Sequence, residues 1–129
     1  MRLDMVGIVV EDMKKAIKFY DLLGLRVIEG DKNSSYVELE NEGVRISLNT
    51  KDMITGVFGF VPTSTGEKIE LAFLCESKEE INKLVEKIKN HGYDIVKEPW
   101  SAPWGQYYAL VRDEDKNVIS LFIDENWVG

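Results

Sequence analysis

The sequence predicts an α+β fold of two tandem βαβββ modules, and three observations carry that prediction. Two amphipathic segments with helix-cap signals recur at an offset of 65 residues, from Asp12 to Ser77. Each follows one strand-like run and precedes three, and each closes on a glycine, Gly24 in the first case and Gly92 in the second. Such self-similarity constrains the topology of the whole chain before any single residue is read. The alternative is two α+β halves that merely share a common element order; the matched caps and glycines favour a true repeat.

Taken in order, Leu3 to Val10 is dense in β-branched residues and reads as a strand. Met13, Ala16, Ile17, Tyr20 and Leu23 then fall at helical spacing behind Asp12, a residue suited to the N-cap. Gly24 stands where a helix C-terminus favours glycine. Three short strand-like runs follow, Leu25 to Glu29, Ser35 to Glu40 and Val44 to Asn49, separated by Gly-Asp-Lys-Asn and Asn-Glu-Gly turn signals. The second half opens near Glu67 with a strand over Lys68 to Glu76. Ser77 and Glu80 form a capping box ahead of Ile81, Leu84, Val85 and Ile88. Strands over Tyr93 to Lys97, Gln106 to Arg112 and Val118 to Asp124 complete the module, with Asp113 to Asn117 as the last hairpin turn. The expected organisation is one domain over 1–129, with module 1 at 1–50, a connector at 51–66 and module 2 at 67–129.

Composition narrows the function classes. Lys plus Arg number 16 against 23 Asp plus Glu, a net charge of −7, which disfavours nucleic acid and anionic membrane as partners. One histidine (His91) and one cysteine (Cys75) cannot assemble a multi-His or multi-Cys zinc site within the chain, nor a disulfide. No run of apolar residues is long enough to span a bilayer, and the N-terminus lacks a signal-peptide layout, so a cytoplasmic protein is expected. His91, just ahead of Gly92, suits the carbonyls at a helix end rather than a metal.

Strand parity divides the side chains into two faces. One parity is uniformly apolar: Val6, Ile8, Val10; Val37, Leu39; Val44, Ile46, Leu48; Ile69, Leu71, Phe73; Ala109, Val111; Ile119, Leu121, Ile123. This set is expected to pack on the two helices. The other parity is mixed: Met5, Gly7, Val9; Tyr36, Glu38; Arg45, Ser47, Asn49; Lys68, Glu70, Ala72; Gln106, Tyr108, Leu110; Val118, Ser120, Phe122. Such a face either meets solvent, as one face of an antiparallel sheet often does, or lines a concave and partly polar site. Met5, Tyr36, Tyr108 and Phe122 favour shelter, since large apolar groups would otherwise lie in water.

The run MVGIVVED from Met5 to Asp12, then Ala16, Phe19, Tyr20 and Leu23-Gly24-Leu25, resembles the glyoxalase/bleomycin resistance/dioxygenase, or vicinal oxygen chelate, superfamily. Gly92-Tyr93, Glu98-Pro99, Pro103-Trp104-Gly105 and the stretch from Asp113 to Phe122 carry the resemblance through the second half. It implies two βαβββ modules whose curved mixed sheets form a cup, usually in a homodimer. It also implies four metal-ligand positions, which fall at Met5, Ser47, Glu70 and Ser120. All four lie on the mixed parity, yet only Glu70 is a hard oxygen ligand, so no metal and no cofactor are expected. Metal-free members of the superfamily include drug-sequestering proteins of the bleomycin-resistance kind.

The expected function is accordingly metal-independent binding of a small molecule, a cationic aromatic compound being suited to the acidic chain. Trp100 and Trp104, in a Pro-punctuated loop from Glu98 to Gly105, either stack on such a ligand or cap the sheet and fill a dimer contact. The apolar connector carries Phe58 and Phe60, residues of a lid if it is one, or of a dimer contact or local core plug. Glu38 and Glu70 supply negative charge to the mixed face, where Arg45 and Lys68 can pair with them. The candidate ligand-binding set is Met5, Tyr36, Glu38, Ser47, Phe58, Phe60, Glu70, Trp100, Trp104, Tyr108, Ser120 and Phe122. An alternative is a glyoxalase-like lyase, isomerase or other enzyme using Glu70 as acid or base; a third is a protein-interaction module whose apolar connector is the interface. Cys75 reads as a small core residue, and Trp127 as a cover for a cavity mouth or partner.

Overall fold

The computed structural model describes residues 1–63 and 69–125. The chain divides into two compact units, 1–65 and 66–129. In the first, β1 (Met5–Val10) leads into α1 (Met13–Leu22), followed by β2 (Val27–Glu29), β3 (Tyr36–Leu39), β4 (Arg45–Thr50) and α2 (Lys51–Phe58). In the second, β5 (Glu70–Leu74) precedes α3 (Lys78–Asn90), β6 (Ile95–Ser101), β7 (Gln106–Arg112) and β8 (Val118–Asp124). The sheets have the same strand order, β1-β4-β3-β2 and β5-β8-β7-β6. In each, the first strand pairs parallel with the last and the other pairs are antiparallel. The α+β fold of two βαβββ modules is thus what the repeat predicted.

Both helices begin as the sequence indicates. The Asp12 carboxylate accepts the Lys15 N–H at 3.0 Å. Ser77 Oγ accepts the Glu80 N–H at 3.0 Å, and the Glu80 carboxylate reaches back to the Glu76 N–H at 2.8 Å. Gly24 and Gly92 both sit at φ +86°, a left-handed conformation that costs glycine little. His91 caps α3, its Nδ1 lying 2.8 Å from the Lys87 carbonyl.

The apolar faces of the helices meet the apolar parity of the sheets. In module 1, Met13, Ala16, Phe19 and Tyr20 of α1 are buried, as are Ile8, Val10, Val37, Leu39, Ile46 and Leu48. In module 2, Ile81, Val85 and Ile88 of α3 are buried, as are Ala109, Val111, Ile119 and Leu121. Each large side chain of this kind contributes roughly 1.5–3 kcal/mol by leaving water. Cys75 joins the buried set, as expected, its Sγ 3.7 Å from the Phe73 carbonyl. The last hairpin turn is held by the buried Asp113 carboxylate, which accepts the backbone N–H groups of Asp115 and Asn117 at 2.9 and 2.8 Å. The Asn117 side-chain amide adds a third bond at 2.8 Å.

Four expectations need correction. The connector, whose apolar residues show no clear period in the sequence, is helical over Lys51–Phe58, with Thr50 Oγ1 capping Met53 N–H and Gly59 ending the helix at φ +82°. Ile69 is not core but 75% exposed, since it precedes β5 rather than lying within it. Trp100 is on a strand, because β6 runs on through Pro99 to Ser101. Several strands are also shorter than their apolar runs: β1 begins at Met5, β2 at Val27 and β5 at Glu70. Lys68, Trp127 and the 64–66 end of the connector lie outside the described residues. Among the described residues, no helix is long and apolar enough to cross a membrane.

Candidate functional site

Strand register shows that the mixed faces carry the same set of positions twice. In module 1, Gly7 lies opposite Ser47 and Tyr36 opposite Asn49. In module 2, Ala72 lies opposite Ser120 and Tyr108 opposite Phe122. Met5 therefore corresponds to Glu70, Tyr36 to Tyr108, Ser47 to Ser120 and Asn49 to Phe122. The contacts repeat as well. Tyr36 places its hydroxyl 3.6 Å from Met5 Sδ, and Tyr108 donates its phenolic proton to the Glu70 carboxylate.

Chemistry has diverged between these half-sites. That of module 1 is internally satisfied. Tyr36 also donates to Glu38 at 3.2 Å, and Arg45 donates to Glu38 at 3.0 Å and to Asp4 at 2.8 Å. The expected Arg45–Glu38 pairing is therefore present, with the one guanidinium shared between Glu38 and Asp4. Ser47 and Asn49 are buried, with the Asn49 amide donating to Ser47 Oγ at 3.0 Å and to the Ile8 carbonyl at 3.4 Å. A Cβ on Gly7 would stand 3.2 Å from Asn49 Nδ2, so the missing side chain is part of how the pair fits.

Module 2 leaves its polar groups open. Phe122 cannot donate as Asn49 does, and Ser120, fully buried, has no hydrogen-bond partner for its Oγ among the described residues. A buried hydroxyl in that state costs about 1–3 kcal/mol. Glu70 is exposed and, among the described residues, faces no cation; its partner is the Tyr108 phenol. Burial first, and then the bond to Glu70, push the Tyr108 phenol up, while the nearby Ser120 hydroxyl pulls the other way. Although close, that hydroxyl falls outside hydrogen-bonding geometry with the phenol. Tyr36 is also raised, by burial and by Glu38. Both phenols are consequently proton donors at neutral pH.

An aromatic wall adjoins Tyr108. The rings of Trp100, Trp104 and Tyr108 meet pairwise edge to face, with centroids 5.6, 5.5 and 5.2 Å apart. Such geometry sets the positive edge of one ring against the negative face of another. Trp104 is 56% exposed and is steadied by its indole N–H, which donates to Gln106 Oε1 at 2.9 Å. Lys97 stands 4.8 Å over the Trp100 ring.

The fold explains how Trp100 joins Tyr108. Lys97 lies opposite Leu110 and Trp100 opposite Tyr108, so three residues of β6 span two of β7. The extra residue is a bulge, and Pro99, which has no N–H to give a ladder, sits within it on an edge strand. Residues of odd spacing, Lys97 and Trp100, are thereby turned to the same face.

The structure thus gathers Met5, Tyr36, Glu38 and Ser47 into one half-site and Glu70, Tyr108, Ser120, Trp100 and Trp104 into another, with Phe122 beside Tyr108 in register. Phe58 and Phe60 join neither in the described contacts. They are 48% and 62% exposed and pack on each other at 5.5 Å. Three contributors were missed as site residues: Asn49, Arg45 and Lys97. Asn49 and Arg45 stand on the mixed parity and were legible there; Lys97 is hidden by the bulge.

A model of the Glyoxalase/Bleomycin resistance protein/Dioxygenase superfamily matches residues 2–121. The chain belongs to this superfamily. The protein YraH of Bacillus subtilis (strain 168) is 26% identical over 125 residues, covering 95% of this chain and 98% of its own. A glyoxalase/bleomycin resistance protein/dioxygenase family enzyme from Burkholderia phytofirmans PsJN has the same fold, with a TM-score of 0.85 at 23% identity over 96% of this chain and 99% of that one. A glyoxalase-related enzyme from Fulvimarina pelagi gives a TM-score of 0.87 at 16% identity, over 98% and 90% of the two chains.

At the four positions where the superfamily resemblance implies metal ligands, the donors do not suit a divalent cation. Met5 offers a neutral thioether that faces the Tyr36 hydroxyl, and Ser47 Oγ is engaged by Asn49. Ser120 is a neutral hydroxyl, and Glu70 is held by Tyr108. Divalent ions call for several hard oxygen or imidazole donors, of which this superfamily member supplies one carboxylate.

Proposed function

We propose that the protein is a metal-independent binder of small cationic aromatic molecules, cytoplasmic and homodimeric, with its ligand surface on the open half-site of module 2. The observation that supports this reading is the exposed Trp104 in edge contact with Trp100 and Tyr108, next to a carboxylate that faces no cation among the described residues. Flat faces attract a flat cation, and Glu70 balances its charge. Titrating the protein with acridines and phenanthridines, read by tryptophan fluorescence and calorimetry, should give saturable quenching. Trp104→Ala should weaken binding by about 1–2 kcal/mol, roughly 5- to 30-fold. A panel that binds nowhere, or binds equally well to Trp104→Ala, overturns the reading.

The Tyr108–Glu70 bond favours a second reading, a metal-independent enzyme in which Glu70 is the base and Tyr108 returns the proton. It requires a substrate whose turnover vanishes in Glu70→Gln while binding to the tryptophans persists.

A further inference from the structure

The charges of module 2 permit a step beyond the binding of aromatic cations in general, and this step rests on that reading. Glu70 stands on β5 and Lys97 on β6, the two edge strands of the sheet. A continuous line of contacts joins them. The Lys97 ammonium lies 4.8 Å over the Trp100 ring, Trp100 meets Tyr108 edge to face at 5.5 Å, and the Tyr108 hydroxyl donates to the Glu70 carboxylate. Opposite charges thus close the two ends of one aromatic strip.

Among the described residues neither charge forms an ion pair. The carboxylates nearest to Lys97 along the chain are committed elsewhere, Glu98 to Lys89 at 2.7 Å and Asp94 to Lys116 at 3.0 Å. In module 1 the corresponding face resolves its charges directly, because Glu38 and Arg45 are on neighbouring strands and pair at 3.0 Å. In module 2, three strand spacings, about 14 Å, separate the backbones of β5 and β6, and the rings fill the interval. Lys97 and Glu70 are held apart, both exposed, on either side of a surface suited to an aromatic body.

We infer that this strip takes a dipolar ligand, an aromatic body with an ammonium at the Glu70 end and a carboxylate at the Lys97 end. The Lys97 ammonium carries three N–H donors, and lying over an indole face uses its charge while leaving N–H groups for an anion. A ligand with the cation alone leaves Lys97 unpaired and meets its repulsion; one with the anion alone does the same to Glu70. Both charged groups are exposed, so each added ion pair contributes modestly and is screened by salt. Lys97 therefore sets specificity more than affinity, and the rings supply most of the attraction.

The test uses the full chain and calorimetry at neutral pH and low salt, with three probes on one two-ring body: 4′-(aminomethyl)biphenyl-4-carboxylate, biphenyl-4-ylmethylamine and biphenyl-4-carboxylate. Wild type should bind the dipolar probe about 2- to 5-fold more tightly than the cationic one. Lys97→Met keeps the apolar stem and should abolish that preference, whereas Lys97→Arg keeps the charge and should retain it. Glu70→Gln should weaken the dipolar and cationic probes alike, by about 2- to 5-fold, and leave the anionic probe no weaker. A dipolar probe no tighter than the cationic one in wild type, or a preference that survives Lys97→Met, overturns the inference; the general reading then stands if the cationic probe still depends on Trp104. Weakening of the anionic probe in Glu70→Gln overturns the assignment of the two ends. Failure of all three probes to bind wild type overturns the inference and the general reading together.

Discussion

Ser47→Ala and Ser120→Ala remove the same hydroxyl from the same register position of two modules, and the structure gives the two changes opposite signs. Ser47 is 2% exposed and accepts the Asn49 amide at 3.0 Å. Its loss leaves that amide with only the longer bond to the Ile8 carbonyl at 3.4 Å, a cost of about 1–2 kcal/mol. Ser120 is 0% exposed and its hydroxyl bonds to nothing among the described residues, so alanine relieves a desolvation cost of about 1–3 kcal/mol. The space left by one oxygen returns part of that gain, for a net stabilisation of about 1 kcal/mol. In a chain of this length that corresponds to a rise in Tm of roughly 3–5 °C. Urea unfolding followed by circular dichroism gives both values, with unchanged denaturant slope as the sign that only stability moved. A Ser120→Ala variant destabilised as much as Ser47→Ala would refute the reasoning, because it would mean that the Ser120 hydroxyl is satisfied in the folded protein.

Two further outcomes bear on the scaffold. Asp113→Ala removes the acceptor of three hydrogen bonds in the final hairpin turn and should cost about 2–4 kcal/mol, read as a lower urea midpoint together with faster amide exchange at Asp115 and Asn117; a loss below about 0.5 kcal/mol would contradict the turn's role. Burial pushes the Cys75 thiol up to about 11 from an ordinary 9.0. The folded chain thus keeps a proton that the unfolded chain gives up, and the associated stability is full below pH 9 and lost as pH rises through about 11. Allowing for partial solvent screening, wild type should lose roughly 1–2 kcal/mol relative to Cys75→Ala across that window. Parallel alkaline limbs in the two proteins would rule the thiol out as their cause.

Much of this was legible because alternation survives wherever strands pair without interruption. The limits of β7 and β8 coincide with their apolar runs, since the Asp113 turn between them is written in turn-forming residues. The caps of α1 and α3 were legible for the same local reason. Helix α2 was not, although Thr50, Asp52 and Gly59 are sound cap signals, because Gly56 and the β-branched Thr55 and Val57 obscure an eight-residue period. Met5, Tyr36, Ser47, Glu70, Tyr108 and Ser120 could be assigned to one kind of face from parity. That the two tyrosines correspond could not, since the match depends on which residues lie opposite in the sheet. Nor could a composition-level count show that Glu38 is paired with Arg45 while Glu70, among the described residues, is bonded by a phenol.

The bulge in β6 makes the aromatic wall depend on chain length rather than on side-chain identity. Deleting one residue between Lys97 and Trp100 would restore simple alternation and leave the Trp100 indole opposite Tyr108, whereas inserting one beside the bulge would shift the indole by one position along β7 and send it to the opposite face of the sheet, with every ring of the wall still encoded. A family that inherits this scaffold therefore has a way to lose a recognition surface by a single-codon insertion at a sheet edge, and to regain it by the reverse step. Protein engineers could use the same position as an on–off switch for ligand recognition that leaves the core sequence untouched.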